Sequence, residues 1–353
     1  MQACIYEQYG SADVVRLGEV ERPEVKVDEV LVRVRAASVT TADWRFRASV
    51  FPPIFWLPGR LMLGLFRPRN TVLGMDFSGV VEAAGRDVTR FQVGDQVFGA
   101  TSPMSRGAHA EYVAVRESGA IIHKPSCLTD DEAAAIPFGG SSALAFLRDF
   151  ARVQPGQRVL IVGASGGVGT WAVQLARHFG AEVTGVCSTR NVELVRSLGA
   201  HHVVDYTSEA FAQKGGAYDL IFDTVGVTTF AGCRDALSEK GTYLPLNSGL
   251  REIAQAVFTS RSAGRKVKYA VSGNTREGLE VLVGLIESGV LKPVVDHVYP
   301  MAQIADAHRH VEGRHKRGSV IVRIGAPGES SAHVDRALRP RSSIARHAET
   351  PGI

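Results

Sequence analysis

The rhythm of apolar and polar positions changes twice along this chain. In the first third the two alternate. Glu29-Val-Leu-Val-Arg-Val-Arg35 puts Val30, Val32 and Val34 on one face, as a half-buried strand requires. Further short strands are predicted at Gly79-Val-Val-Glu-Ala83, Gln96-Val-Phe98 and Ala110-Glu-Tyr-Val-Ala-Val115, divided by the turn signals Val93-Gly-Asp95 and Ser105-Arg-Gly107. Many short strands with glycine-rich turns predict a barrel-like or sandwich domain.

After Lys124-Pro125 the character shifts. Thr129-Asp-Asp-Glu132 is a capping box opening a short helix over 132–136, and a longer helical pattern runs over 142–151. Arg158-Val-Leu-Ile-Val-Gly-Ala-Ser-Gly-Gly-Val-Gly-Thr170 then joins a buried strand (Val159 to Val162) to a helical pattern that Gly180 ends. A strand, a glycine-rich turn and a helix N-terminus make an anion site, because small residues let the backbone approach a pyrophosphate and the unpaired N–H groups face it. Ser165, Gly166, Gly167 and Val168 are the residues expected against the phosphates. Ala164 replaces the first glycine of the usual fingerprint, so the match is to a close variant. Strand signals alternate with helical ones downstream, at Glu182-Val-Thr-Gly-Val-Cys187, His202-Val-Val-Asp205, Tyr218-Asp-Leu-Ile-Phe-Asp223 and Gly241-Thr-Tyr-Leu244. That alternation predicts a doubly wound parallel sheet. One more strand, a helix over 302–311 and the strand Ser319-Val-Ile-Val-Arg323 follow Lys292-Pro293. These are expected to return to the first domain. From Ala326 the chain loses periodicity and is expected to be a disordered tail over 326–353.

One stretch breaks the pattern: Val50-Phe-Pro-Pro-Ile-Phe-Trp-Leu-Pro-Gly-Arg-Leu-Met-Leu-Gly-Leu-Phe66. It is nearly as apolar as a membrane span, but Pro52, Pro53, Pro58 and Arg60 interrupt it and it is short for a bilayer. Two readings stay open: a lid or wall over a substrate pocket, or a contact with a membrane surface or a second copy through residues 50–66.

The totals narrow the class. The chain has 353 residues, 45% hydrophobic and 22% charged, with a formal net charge of +4. That fits two globular domains and gives no nucleic-acid footprint, although the basic run Arg314-His-Lys-Arg317 leaves one as a minor possibility. Cys4, Cys127, Cys187 and Cys233 lie far apart, which argues for free thiols. No signal peptide is visible at Met1-Gln-Ala-Cys-Ile-Tyr-Glu-Gln-Tyr-Gly10, and a cytoplasmic protein is expected.

The chain resembles the zinc-independent medium-chain dehydrogenase/reductases of the quinone oxidoreductase type. The resemblance rests on Ala37-Ser-Val-Thr-Thr-Ala-Asp-Trp44, Leu73-Gly-Met-Asp-Phe-Ser-Gly-Val-Val81, Val93-Gly-Asp-Gln-Val-Phe-Gly99, the loop from Gly163 to Gly169, Leu198-Gly-Ala200 with Asp205-Tyr206, and Phe222-Asp-Thr-Val-Gly226. It implies an α/β fold with a GroES-like β-rich substrate domain (1–125, completed by 293–325) around a Rossmann domain (126–292), with the active site in the cleft. Many relatives are dimers, so a homodimer is also implied. Zinc-dependent members use a Cys, a His and a further Cys. Thr40 and Met75 stand at matching positions here and no Cys occurs in Ile136-Pro-Phe-Gly-Gly140, so no metal is expected. His308 and His310, two apart on a predicted helix, are read as solvated.

Cofactor preference is expected at the end of the second Rossmann strand. Ser188-Thr-Arg-Asn191 offers hydroxyls, Arg190 and Asn191 but no carboxylate, which favours the 2′-phosphate of NADPH. The resemblance puts Tyr206 near that phosphate and Thr40 and Ser142 beside the nicotinamide; Asn247 and Ser248 should lie near the same end. The expected reaction is hydride transfer to a quinone, an enone or a similar conjugated carbonyl. Arg45 is the candidate for stabilising charge on the acceptor oxygen, with a surface arginine on a helix as an equal reading; Asp43 is a catalytic candidate that fits a structural role, orienting that helix, better than an acid's. Reduction of an aldehyde or enoyl thioester, and a non-enzymatic NADPH-binding regulatory or nucleic-acid-binding role, are the alternatives.

Overall fold

The computed structural model describes residues 1–209, 215–261 and 263–325. The expected tail over 326–353 lies outside them.

The chain begins with an antiparallel ribbon of β1 (Gln2–Ile5) and β2 (Arg16–Glu19). The long strand β3 (Glu29–Val39) organises the first large sheet. It pairs antiparallel with β4 (Asp76–Ala84) and, over its first half, with β6 (Tyr112–Arg116); β5 (Gln96–Ala100) and β7 (Ala120–His123) extend the sheet from β4. Val30, Val32 and Val34 enter the core of this sheet, as their alternation predicts, but the strand is not half-buried: Glu29 and Leu31 on its other face are buried as well. Register shifts along the β3–β4 pair bend the sheet, which suits a barrel-like curl.

The second sheet is parallel throughout: β8 (Arg158–Val162), β9 (Glu182–Cys187), β10 (His202–Asp205), β11 (Tyr218–Asp223), β12 (Leu237–Pro245) and β13 (Lys266–Val267). Their spatial order is β10-β9-β8-β11-β12-β13. This is the doubly wound order in which the winding reverses between the first and fourth strands, and ligands bind in the crevice outside the strand ends there. β14 (Val295–Pro300) and β15 (Ser319–Arg323) then leave this sheet, and β15 pairs antiparallel with β3. The α/β fold with its GroES-like and Rossmann sheets is therefore as expected. The two sheets share a core: Phe98, Ala120 and Ile122 of the first pack in one cluster with Ile161 and Phe222 of the second and with Trp171 of the helix that follows β8.

Five helices matter for the cleft: α1 (Thr41–Ala48), α2 (Pro53–Leu63), α3 (Asp130–Ala134), α4 (Pro137–Leu144) and α5 (Gly169–His178). α3 carries the capping box expected at Thr129 and Glu132. α4 runs on into a π-helical stretch, Ala145–Ala151, ended by Arg152 in the left-handed region.

Candidate active site

β8 ends at Val162, and Gly163 turns the chain with φ +78. A Cβ there would lie 2.2 Å from Val225 Cγ2. One on Gly169 would lie 2.0 Å from the Gly163 carbonyl oxygen, so α5 can start this close to β8 only on glycine. Gly166 is different: its added Cβ would meet only the Gly163 oxygen, at 3.4 Å. Its face opens on a cavity of about 1220 Å³, lined by Gly166, Gly167 and Val168 at the loop and by Thr224, Val225, Asn247 and Ser248 beyond the ends of β11 and β12. Ser142 and Phe138 of α4, Arg45 of α1, and Phe51, Pro52 and Phe55 form other walls. The volume exceeds that of a drug-sized ligand site and suits a dinucleotide with a second molecule.

Among the sequence-derived candidates, Arg45, Ser142, Gly166, Gly167, Val168 and Asn247 thus share one cavity. Asn247 is held by its Nδ2 donating to the Val225 carbonyl at 3.1 Å. Ser165 and Asn191 are both buried, and Asn191 Nδ2 donates to Ser165 Oγ at 3.0 Å and to Ser188 Oγ at 3.2 Å. This small network ties the glycine loop to the end of β9. Asn191 Oδ1 keeps no protein partner among the described residues. Arg190 and Tyr206 lie outward of it. Arg190 Nη2 donates to the His315 carbonyl at 2.7 Å, and Tyr206, half-exposed, donates its backbone N–H to the Cys187 carbonyl.

Three residues take other roles. Asp43 takes the structural role favoured for it, and its catalytic candidacy is corrected. It is fully buried, and Oδ2 accepts from the Thr40 N–H at 2.8 Å and Thr40 Oγ1 at 2.6 Å while Oδ1 accepts from the Gly74 N–H at 3.0 Å. With both oxygens used in the α1 capping box and a loop tether, it presents nothing to the cavity. Thr40 is engaged in the same box; it lies on a small pocket beside Gly167 and Lys316, off the main cavity. His308 is also corrected. It is not solvated but fully buried, edge-on to His109 at 5.8 Å, and burial pushes its imidazole well below the ordinary value. His310 is partly buried and hydrogen-bonds Tyr299 at 3.1 Å, with Asp296 at 3.0 Å.

The site's electrostatics are cationic. Arg45 is pushed below its ordinary value, first by burial and then by Arg314, and its Nε has no protein partner among the described residues. Sequence reasoning missed Arg314 and Lys316. The basic run 314–317, which in sequence leaves a nucleic-acid reading open, sends both into the cavity wall. Arg314, with φ 58, donates from Nη2 to the Val225 carbonyl at 2.7 Å. Lys316 Nζ donates to the Gly318 carbonyl at 2.7 Å and lies within 2.4 Å of where a Cβ on Gly167 would be. Loss of hydration pushes its ammonium down to about 8. A bridge between Gly166 and Gly318 fastens this segment against the glycine loop. The signal available in sequence was the basic run's position just before β15.

Two acids were also missed. Asp205, paired in register with Cys187, holds Thr189 Oγ1 at 2.5 Å, so a carboxylate does stand beside Ser188 and Arg190. Asp76 is buried under the small pocket, accepting from Ser38 Oγ at 2.9 Å and the Phe138 N–H at 3.0 Å, and burial raises it to about 7. Among the described residues no group of three or more His, Cys, Asp or Glu side chains is gathered as a metal site.

An orphaned Asn191 oxygen, an unpartnered Arg45 nitrogen, an open glycine face and the cations Arg314 and Lys316 in the same cavity wall fit a dinucleotide with its pyrophosphate. Known proteins similar to this chain agree with that chemistry. Residues 26–126 match the alcohol dehydrogenase GroES-like domain and residues 198–322 a zinc-binding dehydrogenase domain. The mitochondrial NAD(P)H oxidoreductase RTN4IP1 of Homo sapiens is 31% identical over 362 residues, spanning 92% of this chain and 89% of its own. The chloroplastic NADPH-dependent alkenal/one oxidoreductase of Arabidopsis thaliana is 32% identical, spanning 91% of this chain and 79% of its own. The solved quinone oxidoreductase of Coxiella burnetii superposes with a TM-score of 0.82 at 28% identity, over 92% of this chain and 99% of its own. The cytoplasmic expectation is corrected by these relatives, which are mitochondrial and chloroplastic proteins.

Proposed function

The chain belongs to the quinone oxidoreductase-like medium-chain dehydrogenase/reductases, an NAD(P)H-dependent oxidoreductase family, and on that premise we propose that it reduces a quinone, enone or related conjugated carbonyl with NADPH and without zinc. The observation that carries the proposal is the single cavity joining Gly166, Gly167 and Val168 to Arg45, Ser142 and Asn247. In this reading residues 1–125 and 293–325 form the substrate domain and residues 126–292 the cofactor domain.

The glycine loop, Lys316 and Arg314 hold the pyrophosphate, and Ser188, Arg190 and Tyr206 hold the adenosine phosphate. Ser142 and Asn247 flank the nicotinamide end. Bound NADPH supplies the hydride. Negative charge then grows on the acceptor oxygen, and the Arg45 guanidinium, short of one partner and poorly hydrated, stabilises it. Phe51, Phe55 and Phe138 give the acceptor an apolar wall that excludes water. The proton that completes the product comes from solvent.

Asp205 favours a second reading for the cofactor, NADH, because a carboxylate at this edge accepts from a ribose hydroxyl and repels a phosphate. Its oxygens are taken by Thr189 and Thr207, which leaves Arg190 as the stronger influence. Kinetics with both nucleotides against a water-soluble quinone test the proposal: a kcat/KM favouring NADPH supports it, and a preference for NADH replaces it with the second reading. Activity that a chelator abolishes contradicts the zinc-free part.

A further inference from the structure

Between Val50 and Met75 the chain has no Asp or Glu but has arginines at 60, 67 and 69. α2 occupies the middle of this stretch. Its inner side is built into the protein: Leu63 is buried, and the Arg60 guanidinium stacks on the Tyr9 ring at 3.9 Å. The Tyr9 hydroxyl also donates to the Gly64 carbonyl at 2.8 Å. The helix is therefore seated firmly rather than draped over the body.

Among the described residues its other side is open to solvent, apart from the Arg60 guanidinium, which also faces the Trp56 ring at 5.5 Å. Trp56, Leu57, Leu61 and Met62 are exposed along the helix, and Leu65 and Phe66 continue the patch, with Phe66 88% exposed. Monomeric proteins seldom leave so continuous an apolar face in water, and such faces mark contact sites. No helix among the described residues is long and apolar enough to cross a membrane. A short apolar helix fixed to a folded body suits the membrane interface, with its axis in the plane.

We propose that this face of α2 docks on an anionic lipid surface and that the cleft takes its acceptor from the bilayer, as a lipid-soluble quinone or enone; the second half rests on the reductase reading above, the first does not. Charge chooses the occupant. Arg67 and Arg69 are exposed at the patch edge with no acid in the segment to answer them, and lipid phosphates complement both. A second copy docked through the same segment would offer these arginines no counter-charge, because that segment holds no acid. Position links docking to chemistry. Phe51 and Pro52, just before α2, and Phe55 in its first turn line the cavity, and the exposed Trp56 and Leu57 follow Phe55 directly in the helix. Apolar surface is thus continuous from the lipid-facing side to the site.

The test uses the full chain, sedimented with vesicles of phosphatidylcholine alone or mixed with phosphatidylglycerol. The protein is expected to pellet with the anionic vesicles and to be released by salt. Arg67→Gln and Arg69→Gln should each weaken this by about fivefold. Trp56→Ser with Phe66→Ser should remove binding to any vesicle. Both sets should keep wild-type turnover with a water-soluble quinone and lose it, in parallel with binding, for a long-chain quinone embedded in the vesicles. Absence of pelleting, or equal pelleting by every variant, overturns the docking. So does a stable dimer that Trp56→Ser with Phe66→Ser dissociates, because a second copy then covers the face. Pelleting with the expected losses but no turnover of any quinone upholds the docking and removes the lipid-acceptor half together with the reductase reading.

Discussion

Arg190 and His315, 125 residues apart in sequence, are joined by a hydrogen bond from Arg190 Nη2 to the His315 carbonyl at 2.7 Å. It stitches the end of β9 to the segment that carries Arg314 and Lys316, so the parts proposed to hold the two phosphate sites of NADPH are mechanically linked. Arg190→Ala should weaken NADPH about tenfold and leave NADH nearly unchanged, since only NADPH has a phosphate for the guanidinium. Asp205→Asn should do the reverse, tightening NADPH threefold to fivefold by removing a like charge. Titrations with both nucleotides read these shifts; equal losses for both on Arg190→Ala contradict the phosphate assignment.

Lys316 should make cofactor binding depend on pH. With its ammonium pushed down to about 8, it is charged below that pH and neutral above it. Affinity for NADPH should therefore fall as pH rises through about 8, by up to about tenfold, with the bound anion shifting the fall somewhat upward. Lys316→Met should bind weakly and without that pH dependence. A wild-type affinity flat between pH 7 and 9 would remove Lys316 from the site.

Arg45→Gln separates chemistry from binding. If Arg45 meets charge that develops only during reduction, kcat/KM should fall about a hundredfold while the Kd of NADPH changes less than about threefold. A matching loss in NADPH affinity would instead make Arg45 a cofactor ligand.

His308 should set an acid limit on stability. Its folded-state pKa is depressed well below 6.5, so its contribution is intact above pH 6.5 and is lost as pH falls from there toward the folded value, where the unfolded chain binds the proton first. The cost is about 1.4 kcal/mol per pH unit within that window. His308→Phe, which keeps the ring packed on His109, should flatten the decline between pH 6.5 and 5.5 in thermal unfolding. An unchanged decline would place the acid sensitivity elsewhere.

What was legible in sequence was what is local. The strand, glycine turn and helix from Arg158 to His178 declare themselves because the shift in period and the glycines lie within one stretch. The capping box at Thr129 was equally plain; at Asp43 the helix-orienting role was the favoured reading and the structure bears it out, although the box that Asp43 forms with Thr40 was not recognised as such. Arg314, Lys316 and His308 were illegible for a different reason. Their surroundings are supplied by Val225, Gly167 and His109, brought close only by the return of β15 to β3. Asp205 was passed over because it ends the neighbouring strand, and only the parallel register of β9 and β10 sets it beside Thr189.

The most direct test is a titration of the protein and of Gly167→Asp with NADPH, followed through Trp171 at the start of α5, then quinone-dependent oxidation of the bound nucleotide. The new carboxylate would stand against Lys316 Nζ, occupying the cation and the space proposed for the pyrophosphate. Saturable NADPH binding and quinone reduction by the wild type, both abolished in Gly167→Asp, are the predicted result. Unchanged binding in Gly167→Asp, or wild-type protein that binds neither NADPH nor NADH, would contradict the assignment of this cleft.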